Sequence, residues 1–227
     1  MNGVILSILF SALAIILPNN IYMTNKSNSR TNSVRTEWIL ASMAEKKSED
    51  LSLKGNPATI DCKYGKALSF NGVSDAVFIE EMPLSGLKKF TIEMLIEPQS
   101  GGNFEQRFLH CGEIQGDRIL LELRATPEGW YFDAFVAVGE QKLALIDPKL
   151  LHPLDQWYHL AYVIDNGKLA TYVNGKKELE GSVIFSPVQG GKTSIGVRQN
   201  EVSWFKGAVY SVRFTDNALT PDEFIDF

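Results

Sequence analysis

Residues Phe90-Thr91-Ile92-Glu93-Met94-Leu95-Ile96 set the pattern for most of the chain. Phe90, Ile92, Met94 and Ile96 fall on one side of an extended backbone, because successive side chains point to opposite faces. Similar β-rich runs recur at 67–70, 76–79, 107–111, 118–124, 130–138, 142–146, 182–185, 193–197 and 208–214, with a first strand expected at 37–43 and a charged loop at 44–50. Gly, Pro, Asn or Asp turns separate them, among them Asn71-Gly72 and Thr126-Pro127-Glu128-Gly129. Short strands with turns between them, and no long amphipathic helix, predict an all-β sandwich or barrel. Roughly a dozen strands in one domain favour two large packed sheets.

One hairpin is especially clear. Trp157–Ile164 and Leu169–Val173 flank Asp165-Asn166-Gly167, and Asn and Gly accept the positive φ that tight hairpins need. Trp157, His159, Ala161 and Val163 share one face, and Tyr158, Leu160, Tyr162 and Ile164 the other. Both faces are largely apolar, so this strand belongs near the middle of a sheet, with Trp157 and one tyrosine set expected in the core. His159 reads as a half-buried, hydrogen-bonded strand residue rather than a catalyst.

The N-terminus has another character. Val4–Leu17 is an uncharged apolar run of 14 residues, closed by Pro18-Asn19-Asn20. Its length suits a signal-peptide core and is short for a transmembrane helix. Residues 1–23 are therefore expected to be a signal peptide or an uncleaved N-terminal anchor, and 24–36 a polar spacer rich in Ser, Asn and Thr. The rest, 37–227, is expected to be one folded domain. This organisation predicts a secreted, periplasmic or cell-surface protein, touching a membrane only if the N-terminal segment is retained. Cys62 and Cys111 could pair in an oxidising compartment, or stand as two small buried apolar residues.

Charge removes one class of partner. The net charge is -5, with no long Lys/Arg run, so the footprint of a nucleic-acid binder is missing. Gly190-Gly191-Lys192-Thr193 echoes the end of a phosphate loop but lacks the upstream glycine, and reads as a turn before a strand.

Four segments in order resemble the laminin G-like, concanavalin A-like jelly-roll family. Tyr64–Val77 is similar to its opening G-x-A-L-x-F-x-G-x-x-D-x-V pattern. Phe90–Pro98 is similar to its F-T-I-x-x-W strand, with Leu95 at the tryptophan position. Trp157–Ala161 with Tyr172–Gly175 resembles its W-x-H and Y-V-N-G hairpin, and Phe205–Phe214 with Asn217–Thr220 its closing strand and turn. The resemblance implies a two-sheet antiparallel jelly-roll sandwich of the type common in exported bacterial proteins. Some relatives bind calcium through loop oxygens, which makes calcium a possible cofactor and Asp75 the matching candidate ligand. Calcium wants six to eight oxygens, and Tyr210 and Ser211 stand where the family carries an acidic pair.

The fold leaves function open. A glycosidase usually needs two carboxylates set for acid/base or nucleophilic work, and no E-x-D-x-x-E run occurs. Glu93 with Glu97, and Glu122 with Arg124, share strand faces and read as solvated charge pairs. A lyase would draw on His110, Arg107, Arg124, Tyr131 or His159, whose spacing is undiagnostic. No catalytic set is therefore assigned. Sugar binding asks only for exposed aromatic faces and planar polar groups. Trp130 and Tyr131, in the run Trp130-Tyr131-Phe132-Asp133 after a turn, and Trp204, in a loop with Arg198 and Asn200, are the ligand-binding candidates. The expected function is non-catalytic binding of a glycan or glycoprotein, the alternative a small glycan-degrading enzyme, and the third a protein-binding adhesion module. The sandwich itself is expected to be the whole functional unit.

Overall fold

A computed structural model describes residues 35–46 and 49–227. The expected signal or anchor segment and nearly all of the spacer lie outside the described residues.

The elements in chain order are β1 (Arg35–Ile39), α1 (Leu40–Lys46), β2 (Leu51–Lys54), β3 (Ala58–Cys62), β4 (Gly65–Asn71), β5 (Ala76–Ile79), β6 (Lys89–Pro98), β7 (Glu105–Gly112), β8 (Arg118–Thr126), β9 (Gly129–Val138), β10 (Gln141–Ile146), β11 (Tyr158–Asp165), β12 (Lys168–Val173), β13 (Lys176–Ser182), β14 (Lys192–Ile195) and β15 (Lys206–Thr215), with a 3₁₀ turn at Pro221–Glu223. They form two antiparallel sheets. The first runs β13-β12-β11-β6-β15-β4-β3, with β1 also paired to β15; the second runs β10-β9-β8-β7-β14-β5-β2. This is the expected all-β sandwich.

The core lies between the sheets and follows the alternation. Phe90, Ile92, Met94 and Ile96 of β6, and Tyr158, Leu160, Tyr162 and Ile164 of β11, face Ile119, Leu121 and Leu123 of β8 and Trp130, Phe132 and Val136 of β9. The β11–β12 hairpin closes through Asn166 (φ 50°) and Gly167 (φ 90°), with Asp165 opposite Lys168. Both central residues are left-handed, as the tight hairpin turn demands. A Cβ on Gly167 would also stand 2.3 Å from the Val183 carbonyl oxygen.

The outer face of the first sheet is partly covered by the chain's own C-terminal segment. Leu219 and Phe224 pack on Ala161 and Val163. Thr91 Oγ1 donates to the Asn217 carbonyl and accepts from the Leu219 amide. The Ile225 amide donates to Glu93 Oε1, which also lies 3.1 Å from His159 Nε2. His159 is thus fully buried rather than half-buried, with Phe227 stacked on its ring.

Three expectations are corrected, and of the two states open to the cysteines the free one is found. The segment 37–43 is not one strand: β1 ends at Ile39 and α1 follows, burying Leu40 and Ala41. The strand expected at 182–185 lies earlier, as β13, whose Lys and Glu residues mark an exposed edge. Cys62 and Cys111 are both free; Cys62 sits on β3 in the first sheet and Cys111 in the core of the second, where burial pushes its thiol up to about 12. Trp130 is fully buried against Tyr158 (5.1 Å) and His152 (4.9 Å), so it cannot present a face to a ligand.

Trp130→Ala should therefore cost about 3–5 kcal/mol of stability, the usual range for emptying a core tryptophan site. Asn200→Ala, in an exposed loop, should stay within about 0.5 kcal/mol of wild type. Urea denaturation of the two variants checks the contrast.

Candidate functional site

The outer face of the second sheet carries the densest set of polar chemistry on the described surface. Residues directly opposite on neighbouring strands share a face. Register therefore places Ile146, Asp133, Glu122 and Arg107 in one row across β10, β9, β8 and β7. The adjacent row holds Tyr131, Arg124 and Glu105. On the other side lie Ala144, Phe135, Leu120, His110, Ser194, Phe78 and Ser52.

The first two rows lock into an ion lattice. Arg107 Nε donates to Glu122 Oε1 at 2.6 Å, and its Nη1 to Glu105 Oε2 at 3.1 Å and to Ser203 Oγ. Arg124 Nη2 pairs with Asp133 Oδ2 at 2.6 Å, while its Nη1 reaches Glu122 Oε2 at 3.4 Å. These groups are not solvated as expected: Glu122 is 3% exposed and Asp133 4%. Buried charges persist only when paired, and each carboxylate here touches a guanidinium.

Asp133 is the exception within the lattice. Burial raises its pKa to about 6, Arg124 opposes the rise, and Glu122 reinforces it. Arg124 cannot hold Asp133 fully ionised because it is shared with Glu122 and Glu105. Geometry agrees: Asp133 Oδ1 is buried without a partner. A proton there makes that oxygen a donor toward the neighbouring Glu122 carboxylate. His110 moves the other way. Burial presses it down to about 4, aided by the positive charges of Arg198, Arg118 and Arg107. Neutral His110 lies 3.0 Å from the Glu113 carbonyl through Nε2, and its Nδ1 accepts from the Gln199 amide.

The 196–205 loop crosses this face. The Arg107 amide donates to the Ser203 carbonyl, the Arg198 Nη2 to the Ile114 carbonyl, and Gln199 Nε2 to the carbonyls of Gly112 and Lys192. Glu201 and Ser203 take positive φ, and Glu201 pairs with Lys54. Beyond Gln199 opens a cleft of about 620 Å³, lined by Phe78, Glu113, Ile114, Gln115, Lys192 and Gln199 among others.

The structure sorts the sequence candidates. Tyr131 is on the outer face, beside Arg124, but is itself buried, at 8% exposure. Arg198 is half-buried, propping the loop that lines the cleft; Asn200 is exposed and Trp204 half-buried in the crossing loop. Trp130 points into the core. Asp75 is committed elsewhere: its two carboxylate oxygens accept from the amides of Asn56 and Asn71, closing a turn. Among the described residues no group of three or more His, Cys, Asp or Glu is placed to hold a metal ion. Sequence reasoning missed Glu105 and the cleft, and reached Asp133 only as the end of the Trp130–Asp133 run. Glu122 and Arg124 were visible as one face of β8, but their partners appear only with the register.

A family model matches residues 71–224. The chain belongs to the concanavalin A-like lectin/glucanases superfamily. Among solved structures it is similar to domain 4 of AbnA, an extracellular arabinanase from Geobacillus stearothermophilus in complex with arabinotriose, with a TM-score of 0.60 and 24% identity over 76% of this chain and 85% of that one. It is also similar to a heptameric SAP-like pentraxin from Limulus polyphemus, at 0.53 and 20% over 67% and 76%. The binding domain of botulinum neurotoxin serotype D gives 0.58 and 13%, over 76% of this chain and 44% of that one. At these identities the likeness is one of fold. A peptide chain release factor GTP-binding subunit from Ogataea pini is 21% identical over 174 residues, and the chain spans about a fifth of its length.

The two shifted groups predict opposite pH effects on stability. Asp133 contributes stability below the ordinary carboxylate range that is lost as pH rises through about 6. His110 contributes stability above 6.5 that is lost as pH falls toward 4. Relative to wild type, Asp133→Asn should lose stability on acidification from pH 6.5 to 4, and His110→Gln should gain it. Thermal melts at stepped pH read both signs.

Proposed function

We propose that this protein is exported and binds a carbohydrate, free or on a glycoprotein, through the outer face of the second sheet. The observation that carries the reading is the lattice of Arg107, Glu122, Arg124 and Asp133. Its planar hydrogen-bonding groups are fixed in place by one another, with Tyr131 alongside. Sugar recognition needs donors and acceptors held at set angles, and groups already immobilised lose little rotamer entropy on binding. Apolar surface borders this floor: Ile146 ends the central row and Phe104, whose carbonyl accepts from the Ala125 amide, is also exposed. The arabinotriose complex of the AbnA domain supports a glycan ligand on this fold.

A second reading, hydrolysis of a glycosidic bond, draws on one observation. Asp133 keeps a proton to about 6 beside Glu122, and an acid next to a carboxylate is the pairing that glycosidases use.

A glycan array run in calcium and in chelator tests the leading reading. Arg124→Ala should weaken a bound glycan at least tenfold, and chelation should leave binding unchanged because Asp75 closes a turn. A protein that binds no glycan, or an Arg124→Ala variant that binds as wild type does, would sink it. Release of reducing ends from the bound oligosaccharide near pH 5.5, abolished by Asp133→Asn, would shift the assignment to the enzyme.

A further inference from the structure

The outer face of the first sheet has an open part that the C-terminal segment's packing on Ala161 and Val163 does not account for. Tyr64, from the β3–β4 turn, Trp157, just before β11, and Tyr210, on β15, meet there above β6 and β15, the strands between β11 and β4. Tyr64 joins the set: its ring centre is 5.7 Å from Trp157 at 81° and 5.5 Å from Tyr210 at 38°. All three are half-buried, so Trp157 is not the core residue the sequence suggested.

The backbone holds these rings out. β15 slips register between Val209 and Ser211, and the bulge turns Tyr210 outward. Gly65 supplies no side chain over it; a Cβ there would stand 3.5 Å from the Tyr210 ring. The register that sets Tyr158 opposite Ile96 brings Trp157 beside Glu97, whose other neighbour is the small Ala208. Glu97 Oε2 accepts from Gln99 Nε2 at 2.9 Å, and the Lys63 ammonium lies 4.7 Å from the Tyr64 ring centre.

We infer that Tyr64, Trp157 and Tyr210 form a second saccharide site, which stacks a neutral pyranose or furanose ring and bonds its hydroxyls through Glu97 and Gln99. Aromatic rings offer wide apolar area with polar tips, which matches a sugar's C–H face rimmed by hydroxyls. A paired carboxylate and amide supply an acceptor and a donor side by side. The Glu97 carboxylate repels an acidic sugar, so the ligand is neutral. The site shares no residue with the lattice on the second sheet. Two sites on opposite faces let one molecule hold two glycan strands, or one strand with gained avidity.

The test titrates the protein with an array of neutral oligosaccharides that includes arabinotriose, using wild type, Arg124→Ala and the double variant Tyr64→Ala/Tyr210→Ala. The expected result is at least a tenfold loss in the double variant for an oligosaccharide that Arg124→Ala still binds, with its melting temperature showing a folded protein. A second readout covers a misfolded double variant. In a Trp204→Phe background Trp157 is the tryptophan open to acrylamide, since Trp38 and Trp130 are buried, and bound sugar should shield it. Wild-type binding of every array member by the double variant, or an unshielded Trp157, overturns the second site. If Arg124→Ala alone, shown folded by its own melting temperature, loses the glycans, the second-sheet reading stands and this one falls; if no neutral member binds, this one falls as well.

Discussion

A strand has one backbone and two faces, so each residue committed to the space between the sheets commits its neighbours to the outside. This constraint organises the whole molecule. Ile119, Leu121 and Leu123 fill the core from β8, which sends Leu120, Glu122 and Arg124 outward. Phe90, Ile92, Met94 and Ile96 do the same from β6, which sends Thr91, Glu93, Leu95 and Glu97 outward. The two outer faces are then settled by different means. On the first sheet the C-terminal segment buries Glu93 and His159 against each other and caps them with a backbone amide. On the second, long side chains cover one another, and arginine and carboxylate share the burial.

The second solution is the more exposed to failure. Removing one partner of a buried pair strands a charge, at a cost on the order of 3–5 kcal/mol. Three carboxylates share two guanidiniums, so the lattice is short of positive charge by one. A proton on Asp133 closes that gap more cheaply than a third cation would, because it also gives the stranded Oδ1 a bond to make. Below about pH 6 that proton balances the lattice, and its mutual pairing holds the face rigid.

The fold was largely legible in the chain. The period-two runs identified most of the strands, though not β2 and β3, and the inner face of β6, and Asn166-Gly167 marked a turn because few residues tolerate its φ. What escaped was whatever depends on contacts across strands. Trp130 follows a turn, which suggested exposure, yet the alternation through Phe132 and Val136 already placed it inside. Asp133 lies 11 positions from Glu122 and meets it only through the β8–β9 register. The state of Cys62 and Cys111 stayed open because spacing along the chain says nothing of which sheet each joins. α1 was read as strand because Leu40 and Ala41 are apolar in a stretch too short to display a helical period.

The breaks in alternation are as informative as the pattern. On β7, Phe108 and Leu109 are adjacent and both face the core, which a regular strand forbids; the slip between Arg107 and Leu109 allows it and leaves Arg107 opposite Glu122. On β15, Val209 and Val212 both face the core at a spacing of three, and the residue released by the slip is Tyr210. A bulge leaves the ladder with an unpaired residue, so it persists where something compensates. In the first case the compensation is an ion pair inside the lattice; in the second it is a ring set against Tyr64 at the surface. Both candidate sites therefore sit where the chain departs from the rule that builds the rest of it, and the departure aims the side chain.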